Sequence, residues 1–404
     1  MKSVELFAGA GGLAMGCGIA GFEHLAVLEW DRWACDTIRE NQRRGYPILT
    51  GWGLYEGDVR SFDWSKIPDG IDLLAGGPPC QPFSIGGKHR AYRDDRDMFP
   101  AFVSAIRSVR PKAFIIENVK GLTRSSFANY FNYIQLQLEF PCMPIRKNED
   151  WCDHLNRLQS AKTSGRGRGK GCTYNVVPTL VNAANYGVPQ KRERVFIIGF
   201  RDDLGVEWSF PASSHSQDSL LYDQWISGEY WRRHGLPRPE IPSKVRARVA
   251  QLEKYKEAPK ELPWRTVRDA IFDLPDPESH IALSIPNHVF QPGARVYPGH
   301  TGSPLDLPSK TLKAGDHGVP GGENMLVRED GSVRYFTVRE SARIQTFPDG
   351  FVFHGSWTET MRQLGNAVPV VLAQRVAMSV AERLLQAELG VLYHRECSST
   401  RRRA

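Results

Sequence analysis

The sequence predicts an α/β protein: a mostly parallel central sheet joined to a smaller, irregular second domain. Three observations carry that prediction. Short apolar runs alternate with helix-period stretches through the first half of the chain, as βα repeats require. A glycine cluster, GAGG at 9–12, separates the first apolar run from the first helical stretch. The 404 residues exceed what a single hydrophobic core usually spans.

The elements follow in order. SVELFA (3–8) reads as a short buried strand, GAGG as a tight turn and LAMGCGIAGF as a helix. HLAVLEWD (24–31) reads as a second strand and RWACDTIRENQ as a second helix. Glycines in the first turn let a ligand approach the backbone, and the following helix N-terminus favours negative charge. Gly9, Gly11 and Ala14 form a loose GxGxxA pattern, and Glu29 ends the second strand, where an acid meets ribose hydroxyls. The same turn can also close without any ligand. Trp30 either stacks on an adenine or packs as a core aromatic. Asp58, in EGDV, stands where a third strand ends.

IDLLAGG (71–77) is the next strand, and PPCQPFS follows at the edge where such sheets bind ligands. Prolines fix φ and remove donors, so Cys80 sits on a stiff turn, as a positioned nucleophile requires. KAFIIENV (112–119) is another strand. It ends in Glu117, a candidate general acid, where an exposed strand-end glutamate is the plain alternative. EDWCDHLNRLQ, inside an insertion at 139–172, places Trp151, Leu155 and Leu158 on one helical face.

Composition narrows the setting. The net charge of +7 points toward a polyanion rather than a membrane. No apolar run matches a membrane span, and the N-terminus enters strand and turn without a signal-peptide pattern, so the expected location is cytoplasmic. The seven cysteines (17, 35, 80, 142, 152, 172 and 397) form no CxxC pair. Reduced thiols are expected, with no disulfide framework. Cys142, Cys152, His154 and Cys172 match no usual zinc spacing, so no metal is expected.

Taken together, FAGAGG, PPCQPFS, ENV, QKRERVFIIG (190–199), RESARIQTFPD (339–349) and QLGNAVPV (363–370), in that order, resemble the bacterial DNA (cytosine-5) methyltransferases. The resemblance implies a Rossmann-like fold that uses S-adenosylmethionine and leaves S-adenosylhomocysteine. It implies Cys80 as the nucleophile on carbon 6, Glu117 as the group at N3 and the 4-amino group, and Arg194 as the contact to O2. Arg192 is counted with this catalytic set, in a structural place paired with Glu340. Phe7, Gly9, Gly11, Gly12 and Leu13 match the methionine-side loop. Glu29 matches the ribose ligand, Trp30 the stacking ring, Asp58 and Val59 the adenine contacts, with Pro79 beside the thiol. Asn366, Ala367 and Val368 return from the C-terminal end to the same pocket.

The implied partner is double-stranded DNA, from which the target cytosine is flipped. Ser84, Lys88, Arg90 and Arg93, after the thiol, are expected at phosphates on a mobile lid. Arg295, Lys313, His317 and Asn324 are expected DNA contacts in the recognition domain. The expected division is 1–205 with 358–395 as the catalytic domain, 206–357 as the recognition domain with few helices, and 396–404 as a disordered tail. A monomer is expected, with a cognate nuclease or other phage-defence proteins as its neighbours. Two readings compete from other classes: an NAD-dependent oxidoreductase, resting on GxGxxA and Glu29 alone, and a DNA-binding regulator on an inactive scaffold. An RNA cytosine-5 methyltransferase is the narrower rival.

Overall fold

A computed structural model describes residues 1–79, 97–165, 172–255, 257–298, 301–314 and 324–401, with side chains to 390. Cys80, Ser84, Lys88, Arg90, Arg93 and His317 lie outside the described residues.

The first body runs β1 (Lys2–Leu6), α1 (Gly12–Ile19), β2 (Glu23–Glu29), α2 (Arg32–Arg43), β3 (Leu54–Glu56), β4 (Leu73–Gly76), α3 (Phe99–Val109), β5 (Ala113–Val119), α4 (Ala128–Glu139), α5 (Trp151–Ser164), β6 (Tyr174–Asn182) and β7 (Glu193–Arg201). These seven strands form one sheet in the order β3-β2-β1-β4-β5-β7-β6. Pairings are parallel from β3 to β5, and β7 runs antiparallel to both β5 and β6. The mostly parallel sheet expected from the βα repeats is therefore present.

Both faces of the sheet are covered, which is why its strands read as continuous apolar runs. Val4, Leu6, Leu74, Phe114 and Ile116 pack on one side with Phe102 and Ile106 of α3 and Ile134 of α4. Leu73, Ala75, Ile115 and Ile198 pack on the other with Leu13 and Cys17 of α1. α2 starts at Asp31, whose carboxylate accepts from the Ala34 amide at 2.9 Å. That cap satisfies one amide that the helix itself cannot.

The second region holds β8 (His215–Ser216), α6 (Gln217–Tyr222), α7 (Glu229–Arg233), α8 (Ser243–Lys254), β9 (Leu262–Pro263), α9 (Val267–Ile271), β10 (Ser303–Pro304), β11 (Met325–Val327) and β12 (Val333–Tyr335). Its core is aromatic: Trp225, Tyr230, Trp231 and Trp264 pack with Leu220 and Val249. The expectation of few helices is corrected. Prolines such as Pro242, at the N-cap of α8, punctuate short helices instead of excluding them.

The chain closes with α10 (Val338–Ile344), α11 (Trp357–Asn366) and α12 (Val370–Arg401). Val338, Ala342, Phe347 and Met361 share a core with Ala10, Ala14 and Val27, so RESARIQTFP packs on the first body. Ile344 faces the other way, toward Val267, Leu326 and Phe336 of the second region. Leu372, Ala373, Val376 and Val380 of α12 complete the core beneath α1. The stretch 357–390 is long and apolar enough to cross a membrane, but two-thirds of its most apolar window (67%) is buried in this core.

Two further expectations are corrected. The tail expected to be disordered from 396 is helical through Arg401, as a continuation of α12. Cys142 and Cys172, expected as free thiols, form a disulfide, because the return from α5 to β6 brings their Cα atoms to 6.1 Å. The insertion otherwise folds as its periodicity predicts: Trp151, Leu155 and Leu158 pack on Tyr133 of α4 and on Phe140, its C-cap. Both ring nitrogens of His154 are engaged at 2.7 Å, with the Tyr133 hydroxyl and the Met143 carbonyl. It has no lone pair left for a metal.

Candidate active site

The parallel strands end along one edge, and the site residues gather there. β1 ends at Leu6, and the chain turns sharply: Phe7 and Gly9 both have φ of 55°, and Gly11 has φ of 88°. The Glu29 carboxylate ties this turn to the end of β2, accepting from the amides of Gly9 at 2.6 Å and of Trp30 and Asp31 at 2.8 Å each. Burial pushes the Glu29 carboxyl above its ordinary range, and these three amides pull it back. The Trp30 ring is 74% exposed. It is therefore an open stacking face and not the core aromatic that was the alternative. Asp58 follows β3, accepting from the Arg60 amide at 2.8 Å and pairing with the Arg60 guanidinium at 2.6 Å.

The C-terminal segment reaches the same turn. A Cβ on Gly12 would stand 2.3 Å from the Val368 carbonyl oxygen, so only glycine admits this approach. Asn366 is exposed at the end of α11, while Ala367 and Val368 are buried beside it. Leu13 and Val59 are buried in the two cores beneath the turn. Gly11, the N-cap of α1, offers no side-chain cap, so first-turn amides of α1 remain available to an anionic group.

Glu117 lies near the end of β5 and is 8% exposed, not the solvated strand-end acid that was its alternative. Arg194 of β7 stands opposite Val119 in the ladder, and its Nε is 2.9 Å from Glu117 Oε1. Burial holds the Glu117 carboxyl above its ordinary range, although Arg194 and Arg192 both pull it down. The neighbouring Asn118 donates to the Pro78 carbonyl at 2.9 Å, and the Met98 amide donates to the Pro79 carbonyl at 3.2 Å. Pro79 is exposed at the sheet edge. The turn leading to Cys80 is thereby fixed beside Glu117, although Cys80 itself lies beyond the described residues.

Arg192 does not pair with Glu340. Glu340 is held by Arg334 at 2.6 Å, as part of the cap of α10. Arg192 is fully buried and donates to the carbonyls of Leu312, Gly365 and Ala367 at 2.7–3.1 Å. Gln190 and Gln345, also fully buried, are joined at 3.0 Å beside it. This knot binds three distant segments of the chain. Sequence reasoning missed it, and missed the grip of Asn118 on Pro78. Polar residues of the Gln and Arg type inside otherwise apolar motifs were the available signal, since buried polar groups must find partners.

Among the recognition residues, Arg295 and Lys313 are exposed. Asn324 is fully buried, and both ends of its amide are spent on the Lys313 backbone, at 2.9 and 3.0 Å. Its expected contact with DNA is corrected to a bracket that holds Lys313. Among the described residues, no cluster of side chains suits a metal ion.

The family model for the C-5 cytosine-specific DNA methylases matches residues 1–140 and 168–382. The chain belongs to the C-5 cytosine-specific DNA methylase family. It is thus a DNA cytosine-5 methyltransferase, and the insertion around α5 and the residues after 382 lie outside the match. It is 32% identical over 388 residues to the Type II methyltransferase M.PspPI of Psychrobacter, covering 94% of this chain and 79% of that protein. To M.NgoMIV of Neisseria gonorrhoeae it is 30% identical, covering 95% and 97%. The fold is also shared with the S. pombe Dnmt2 methyltransferase, with a TM-score of 0.55 at 16% identity over 96% of this chain and 99% of that one.

Proposed function

We propose that this methylase flips a target cytosine out of duplex DNA and methylates carbon 5, using Cys80, Glu117 and Arg194. The observation that carries the reading is the buried Glu117–Arg194 pair beside the Pro78–Pro79 turn that Asn118 holds. Carbon 5 of cytosine is a weak nucleophile. The Cys80 thiolate adds to carbon 6 and makes carbon 5 enamine-like. Charge then builds on the ring, and a Glu117 carboxyl that keeps its proton donates to N3. Burial shifts the Glu117 carboxyl in that direction. Arg194 steadies O2 and fixes the Glu117 carboxyl. Loss of the carbon 5 proton and elimination of Cys80 restore the ring.

S-adenosylmethionine supplies the methyl group. The described residues fit it: an open Trp30 ring, the Glu29 carboxylate at the end of β2, and the uncapped N-terminus of α1. Phe7, Gly9, Gly11, Gly12 and Leu13 would hold its methionine side. Asp58 and Val59 would hold the adenine, with Pro79, Asn366, Ala367 and Val368 closing the pocket. Ser84, Lys88, Arg90, Arg93, Arg295, Lys313 and His317 would meet DNA. We assign the recognition part to the region between β7 and α10, with α10 in the catalytic body. The relatives named Type II methyltransferases support a place beside a restriction nuclease. We assign the protein to the cytoplasm, as a monomer.

Plasmid DNA incubated with methyl-labelled S-adenosylmethionine, followed by bisulfite mapping, tests the reading. Label at cytosines of one short motif is expected. Cys80→Ala should give none, and Glu117→Gln a rate lower by about 10²–10⁴-fold. Label on RNA but not on plasmid would move the reading to RNA.

A further inference from the structure

Beneath the glycine turn lies an acid that the mechanism does not use. Glu5, on β1, is fully buried, and neither carboxyl oxygen has a hydrogen-bond partner. A buried carboxyl without partners is costly as an anion and persists as the neutral acid. Its surroundings agree. Val27 of β2 and Ala75 of β4 flank it in the sheet. The titratable group facing it is Cys17 of α1, whose thiol is pushed up by burial first and by Glu5 second. Where α12 crosses α1 at Gly16, it presents Ala373 and the backbone of Gln374. The Ala14 amide, in the first turn of α1, favours the Glu5 charge without closing a hydrogen bond of normal geometry.

The proposed cofactor would meet this same turn of α1, whose N-terminus has no side-chain cap. The positive end of the helix disfavours a sulfonium there. S-adenosylmethionine carries a net positive charge, whereas S-adenosylhomocysteine is net neutral. We propose that Glu5 is the positioning counter-charge of the cofactor site: a neutral acid in the free protein and in the product complex, and a carboxylate while the sulfonium is bound. The proton leaves to solvent when S-adenosylmethionine binds and returns after methyl transfer. Substrate cofactor is then held more firmly than product, which eases exchange between turnovers. This rests on the cofactor reading above.

Calorimetric titration of the full chain with each nucleoside, in buffers of differing ionisation enthalpy, tests it. S-adenosylmethionine should release up to one proton at neutral pH, and S-adenosylhomocysteine none. In Glu5→Gln the release should vanish, and the preference for S-adenosylmethionine should fall by about tenfold, equivalent to one pKa unit. Equal release from both ligands, or release unchanged in Glu5→Gln, would overturn the proposal. Should Glu5→Gln fail to fold, the wild-type difference between the two ligands decides alone. Binding of neither ligand would instead strike the cofactor reading itself.

Discussion

His24 shows how a single side chain is committed to one charge state. Its ring lies under α1, with Nδ1 3.0 Å from Ser3 Oγ and Nε2 2.8 Å from the Ala14 carbonyl. Burial lowers its pKa from 6.5 to about 4. The folded protein therefore binds fewer protons than the unfolded chain between those values, and stability falls as pH drops through that window. The loss attributable to His24 should approach about 3 kcal/mol by pH 4. Denaturant unfolding at pH 7 and pH 4.5 checks this: His24→Gln should show a shallower acid loss than wild type. Identical pH slopes would remove His24 from the account. At the same scale the sequence was partly legible. The places of Glu29, Trp30 and Glu117 at the strand ends were legible because motif and strand end coincide. The partner of Arg192 was misassigned, because its acceptors at Leu312 and Gly365 lie 120 and 173 residues away, and Asn324 was misread because nothing in its local sequence marks it as buried against Lys313.

Among the elements, α1 bears the most constraint, since the C-terminal segment lies directly on it. Gly12→Ala would drive a methyl group into the Val368 carbonyl. Overpacking of this kind costs about 1–3 kcal/mol. It should also weaken binding of S-adenosylhomocysteine, which equilibrium titration measures. Unchanged affinity and Tm would mean that the segment does not hold the turn. The outer end of α12 is the opposite case. Leu385 and Leu389 are 49% and 66% exposed, and Glu388 makes an ion pair at 2.5 Å with Lys112 at the surface. Ending the chain after Gly390 should move Tm by no more than about 1 °C. A larger drop would show that the extension is packed. The sequence marked α1, α2 and β1 to β5 because period and glycine turns agree there. It hid α6, α7 and α9 of the second region, whose five or six residues carry too little period to read.

Across the whole molecule, one buried knot, built by Gln190, Arg192 and Gln345, ties the end of the sheet to the recognition region and to the C-terminal return. The Pro78–Pro79 turn and the Glu117–Arg194 pair lie on the edge that this knot completes. The parallel part of the sheet was legible from βα order, whereas the strand order and the antiparallel β7 were not. The closure of the pocket by residues some 350 positions after the glycine turn was legible only from the family resemblance, because no local pattern encodes so distant a contact. The central claim is that Cys80 attacks the flipped cytosine with Glu117 at N3. Duplex DNA carrying 5-fluorocytosine in the mapped motif tests it most directly, since fluorine blocks release of the adduct. With S-adenosylmethionine, the wild-type protein should form a covalent complex that survives denaturing electrophoresis, and Cys80→Ala should form none. An adduct that persists in Cys80→Ala, or its absence from an active wild-type protein, would contradict the account.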